Sequence, residues 1–61
     1  MNVYLVAPIR DLFSEHPRAA RCSAEQIAAL LWVLRFVPEP VDPWRVAAAL
    51  EPLDVERGAA A

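Results

Sequence analysis

His16 and Cys22 are the sole histidine and the sole cysteine of the chain. Six residues apart, they are the pair from which a thiolate nucleophile and its base would be drawn. Neither has the surroundings that such chemistry needs. No glycine-rich oxyanion loop accompanies them, because the chain has a single glycine, Gly58. His16 precedes Pro17 at a helix end, where an imidazole can cap carbonyls. Cys22 precedes Ser23 in a helix-start phrase, where a small apolar residue is expected. A zinc site would draw on the same two residues plus carboxylates, and no pair has the usual ligand spacing. The residues therefore imply no catalytic group, no metal and no cofactor. One cysteine also means no internal disulfide.

A second set of residues suits binding rather than bond-making. Trp32, Phe36 and Trp44 fall within thirteen positions, and Arg35 and Arg45 flank the segment between them. Aromatic residues and arginine are the side chains that anchor protein interfaces. The alternative is that all three aromatics fill a small core. Both readings depend on the elements that carry these residues.

Those elements are short helices. In "CSAEQI", Ser23 and Gln26 have the spacing of a capping box, and Cys22 and Ile27 that of a hydrophobic staple. The helix they open is predicted over Ala24 to Phe36. Its inner face is predicted as Ile27, Leu30, Leu31 and Leu34, with Ala28, Trp32 and Phe36 on the outer side. After Gln26 its only charge is Arg35, and a helix apolar all round is expected to be buried all round. The next helix restarts after "VPEPVDP", with Asp42 as N-cap and Pro43 at the first helical position. Val46, Leu50 and Leu53 form its stripe, and Pro52 is expected to kink or end it. Between the two lies a stiff elbow, because Pro38 and Pro40 favour extended backbone. An earlier helix is predicted from Pro8 to Glu15, with Ile9, Leu12 and Phe13 buried and Pro17 ending it. Residues 3–6 suit either an extended segment or a leading turn.

The expected architecture is thus all-α, a small three-helix domain with a proline-rich elbow before the third helix. One domain over residues 1–57 is expected, with a frayed tail at 58–61. The composition is 57% hydrophobic, too apolar for a disordered chain. The longest near-uncharged apolar run, "IAALLWVLRFV", is too short to span a bilayer. No basic stretch leads an apolar signal segment, so the cytoplasm is the default location.

The net charge of −2 is unevenly spread. Residues 1–36 carry Arg10, Arg18, Arg21 and Arg35 against Asp11, Glu15 and Glu25, a net of +1. Residues 37–61 carry Arg45 and Arg57 against Glu39, Asp42, Glu51, Asp54 and Glu56, a net of −3.

Short phrases of the chain resemble three known families. "SAEQIAALL" and "RVAAALEPL" are similar to the two helices of a helix-turn-helix or winged-helix domain, which implies DNA binding. The turn of that motif is three or four residues and often holds glycine; "VPEPV" is longer and holds none. Arg45 is the one base-reading candidate on the second helix, and the acidic residues around it would repel phosphates. "IRDLFSEHP" followed by "DPWR" resembles small accessory subunits of molybdenum formate dehydrogenases, with Phe36 set apart from Asp42 where that family abuts its aromatic and Asp-Pro residues. "YLVAPIRD" resembles the opening phrase of nucleoside deoxyribosyltransferase-like enzymes, with Ala7 in place of glycine and no further strand–helix units after it.

Sixty-one residues make a marginal core without a staple. Disulfide and metal being absent from the reading, association is the remaining one. The sequence therefore points to a non-catalytic helical interaction module, acting as a homodimer or as an accessory subunit on a larger protein. Its partner-binding residues are expected to be Trp32, Phe36, Trp44, Arg35 and Arg45. A truncated DNA-binding helix-turn-helix protein is the alternative.

Overall fold

The apolar residues Leu5, Ile9 and Leu12 recur at helical spacing, and all three are fully buried. They lie on the first of three helices in a computed structural model that describes the backbone of residues 3–60 and the side chains of residues 5–53. Helix α1 runs Val3–Glu15, α2 runs Ala24–Val33 and α3 runs Pro43–Ala60. A five-residue 3-10 helix, Pro17–Arg21, links α1 to α2. There is no strand among the described residues. The small three-helix all-α domain expected from the sequence is what the chain forms.

Helix α1 starts earlier than its proline suggests. Pro8 lies inside the helix rather than at its first position, so neither an extended segment nor a separate turn occupies residues 3–6. The missing Pro8 N–H costs one bond to the carbonyl four residues back. Burying Leu5 one turn ahead of Ile9 offsets that cost, since a fully buried leucine contributes about 1.5–3 kcal/mol. Phe13 is half-buried against the same core. Pro17 does end α1, as expected, and then occupies the first position of the 3-10 helix, whose Ala19 is buried.

Helix α2 opens with the capping box that its sequence spells. The Ser23 N–H donates to Gln26 Oε1 at 3.1 Å, and the Gln26 N–H donates to Ser23 Oγ at 3.3 Å. Cys22 and Ile27, at the staple positions, both belong to the core cluster. The Ser23 side chain thereby satisfies one of the four donors that a helix start leaves orphaned.

Helix α3 packs against both α2 and α1, more extensively than those two pack on each other. Val46, Ala49 and Leu53 are its buried stripe, with Leu50 half-buried beside them. Asp42 holds the N-cap position, and its backbone carbonyl accepts from the Arg45 and Val46 N–H groups at 3.0 and 3.4 Å. Pro52 neither ends α3 nor divides it into two helices, and Gly58, the first residue of the expected frayed tail, lies within it. Of the expected tail, Ala61 is outside the described residues. The radius of gyration is 10.6 Å, against about 10.5 Å for a compact chain of this length. The three helices thus close into a compact unit.

Candidate functional site

The site is built where α2 stops. Leu34 caps the helix, and Arg35 follows it with φ 63°. This is the left-handed region, which costs a residue with a Cβ about 1–2 kcal/mol. Two bonds define the stop: the Phe36 N–H donates to the Leu31 carbonyl at 2.8 Å, and the Arg35 N–H to the Trp32 carbonyl at 3.1 Å. That is the Schellman pattern, with arginine in the place usually held by glycine. The Val37 N–H also reaches the Leu31 carbonyl, at 3.3 Å. Each such bond contributes about 0.5–1.5 kcal/mol, enough together to offset the left-handed residue.

The reversal returns the Arg35 side chain over its own helix. Its guanidinium carbon sits 4.2 Å from the centroid of the Trp32 ring, within cation–π range. Nη1 is 3.5 Å from the Trp32 carbonyl, which it reaches as a donor at the limit of hydrogen-bond distance. Phe36 turns inward beside them and meets the edge of the His16 ring, with centroids 6.5 Å apart and planes at 90°. Val37, between aromatic and proline, is buried in the core. Trp32, Arg35, Phe36, Val37 and Pro38 line an open cleft of about 590 Å³.

The structure thus brings three of the five expected binding residues together. Trp32 and Phe36 are half-buried and pack on the core with one side while lining the cleft with the other. Their position is thus between a full core role and full exposure. Trp44 and Arg45 do not line this cleft. Trp44 stands 66% exposed on the first turn of α3.

The faces of α2 differ from the expected ones. Ile27, Ala28 and Leu31 are buried, whereas Leu34 is 42% exposed and Val33 68%. The core therefore meets α2 between the two stripes read from the sequence. The helix ends at Val33 rather than Phe36, so Leu34 never completes its stripe and Phe36 belongs to the reversal. The expectation that α2 is buried on all sides fails at this end.

His16 does not cap carbonyls with its ring; it heads the 3-10 helix with no side-chain cap and lies against Phe36 instead. The Cys22 Sγ is 3.9 Å from the Arg18 carbonyl, the remaining polar contact of that thiol. Among the described residues no group of three His, Cys, Asp or Glu side chains is placed to hold a metal ion. No helix there is long and apolar enough to cross a membrane.

Val37 is the residue that sequence reasoning missed. It sits among prolines, outside any helical period, so no pattern flags it. The left-handed turn at Arg35 is what aims it inward, and no glycine or asparagine announces that turn.

Comparison with known proteins gives no match: no family model, no curated protein and no solved structure aligns significantly with the chain.

Proposed function

We propose that the chain is a non-catalytic helical protein-interaction module of the cytoplasm that docks through the surface around its proline elbow. One observation carries this reading. Among the described residues, the exposed large hydrophobics Val33, Leu34 and Trp44 all flank the elbow, while the rest of the apolar stripes are buried or half-buried. Exposed apolar residues gathered in one region mark interaction sites. The cleft at Trp32 and Phe36 adds the aromatic anchors with an arginine at their rim, the composition of interface hot spots. Trp44, exposed on the first turn of α3, extends that surface in this reading, with the half-buried Arg45 next to it in the chain. The partner is a second copy or a larger protein on which the chain sits as an accessory subunit.

The DNA-binding alternative finds less support. Residues 34–42 separate α2 from α3, a link well beyond a three- or four-residue turn. Arg45 is half-buried rather than displayed, and Asp42 and Glu51 on the same segment are exposed.

Photo-crosslinking tests the proposal. Benzoyl-phenylalanine in place of Trp44, introduced in the cells that make the protein, should give a discrete light-dependent protein adduct. The same group at Glu25, exposed at the far end of α2, should give none. An absence of adducts at position 44 and at position 36, or adducts to nucleic acid, would overturn the reading.

A further inference from the structure

We infer that the elbow is self-complementary, so that the cleft of one copy receives the Pro38–Glu39–Pro40 segment of a second copy across a two-fold axis. The inference rests on the interaction-module reading and names its partner. Four observations support it. The cleft presents two aromatic side chains, Trp32 and Phe36, and aromatic-lined grooves are the surfaces on which proline-containing segments dock. Pro38 forms one edge of the cleft, and Pro38, Glu39 and Pro40 are all exposed. Their backbone is already constrained by the two proline rings, which lowers the ordering cost of docking.

The third observation is charge. Arg35 spends its contacts on Trp32, by stacking and through Nη1, and not on Glu39 four residues along. Both side chains are exposed. A patch that carries one cation and one anion on either side of a reversal matches itself after a two-fold rotation. Arg35 of one copy then faces Glu39 of the other, and the reverse pair forms by symmetry, as an isologous interface demands.

The fourth observation is area. A stable interface takes about 800 Å² from each partner, close to a fifth of the 4282 Å² that this chain exposes. The cleft alone does not supply that much. Val33, Leu34 and Trp44, exposed on either side of the elbow, supply apolar area next to it in the chain.

Charge reversal tests this directly. The parent chain should show a concentration-dependent monomer–dimer equilibrium by sedimentation velocity. Arg35→Glu and Glu39→Arg should each weaken dimerisation by about tenfold or more, because each places like charges opposite one another. Mixing the two variants in equal amounts should restore a dimer, since each reversed copy complements the other. The double variant should also dimerise. Restoration on mixing is a result that a merely misfolded variant cannot give. If Arg35→Glu loses its helical circular dichroism, Glu39→Arg and Glu39→Gln, on the exposed segment, carry the test, with loss expected to be greater for the arginine. A parent monomeric at every concentration would overturn the inference and leave a larger partner, read by the crosslink at position 44. A dimer indifferent to both reversals would overturn it too, and would place self-association on another face.

Discussion

The Arg35 guanidinium lies 4.2 Å from the centre of the Trp32 ring, three residues back across a chain reversal. The residue whose backbone is strained is therefore the one whose side chain closes over the turn. Cation–π contacts at exposed sites contribute about 0.5–1 kcal/mol, less than the left-handed conformation costs a residue with a Cβ. The two terms can be separated by substitution. Arg35→Ala keeps the cost and loses the contact, and should destabilise by about 0.5–1 kcal/mol. Arg35→Gly loses both and should be about 1 kcal/mol more stable than the alanine variant. Thermal melts should separate the two by about 4–8 °C. Equal melting temperatures would mean that the turn relaxes out of the left-handed region once the arginine is gone.

The register of α2 predicts two different outcomes for two leucines three residues apart. Leu31 is fully buried and Leu34 substantially exposed. Leu31→Ala should cost about 2–5 kcal/mol through the cavity it leaves, a large share of the total stability of so small a domain. Leu34→Ala should change stability by about 0.5 kcal/mol or less. Urea titrations of both variants check this, and comparable losses would place Leu34 in the core after all.

The reason Leu34 was legible as core and is not lies in where the helix stops. Period alone puts it with Ile27 and Leu31. The stop is set by Arg35 in a conformation that sequence assigns to glycine, and nothing local marks it. Pro8 misled in the other direction. A proline at an apparent helix start suits the first position well, but the Leu5–Ile9–Leu12 stripe carries the helix through it. By contrast, the Ser23–Gln26 box was legible because both of its bonds lie within four residues. Local hydrogen-bond chemistry needs no knowledge of the fold; the direction of the core does. The same holds at the elbow, where Trp32 and Phe36 could be singled out by type, but their meeting with Arg35 and Pro38 around one cleft depends on the turn.

The two helix starts should respond unequally to alanine. Ser23→Ala removes the hydroxyl that accepts from the Gln26 N–H while keeping the backbone donor to Gln26 Oε1, and should cost about 0.5–2 kcal/mol. Asp42 accepts from the first turn of α3 through its backbone carbonyl, which alanine also supplies. Asp42→Ala should therefore lose chiefly the interaction of its charge with the helix dipole, about 0.3–1 kcal/mol and screened by salt. Melts at low and high salt distinguish them: the serine variant should be nearly indifferent to salt, and the aspartate variant should converge on the parent as salt rises.

Duplex DNA should bind weakly even at low ionic strength, because residues 37–61, which include α3, carry a net charge of −3 that repels phosphates. Fluorescence anisotropy with a labelled duplex checks this. Nanomolar affinity with a steep salt slope, abolished by Arg45→Ala, would favour the helix-turn-helix alternative over a docking role.

The core draws on residues from Leu5 to Leu53, which has a consequence for how the chain acquires its structure. Helices α1 and α2 each meet α3, and make less of each other. Until Val46, Ala49 and Leu53 have been synthesised, the buried faces of both earlier helices lack the element that covers most of them. At roughly 5–20 residues per second, that leaves the nascent segment waiting for a period of seconds with Leu12, Ile27 and Leu31 uncovered. Such a segment is a natural client for a ribosome-associated chaperone, and a chain halted anywhere before Leu53 is a natural substrate for proteolysis.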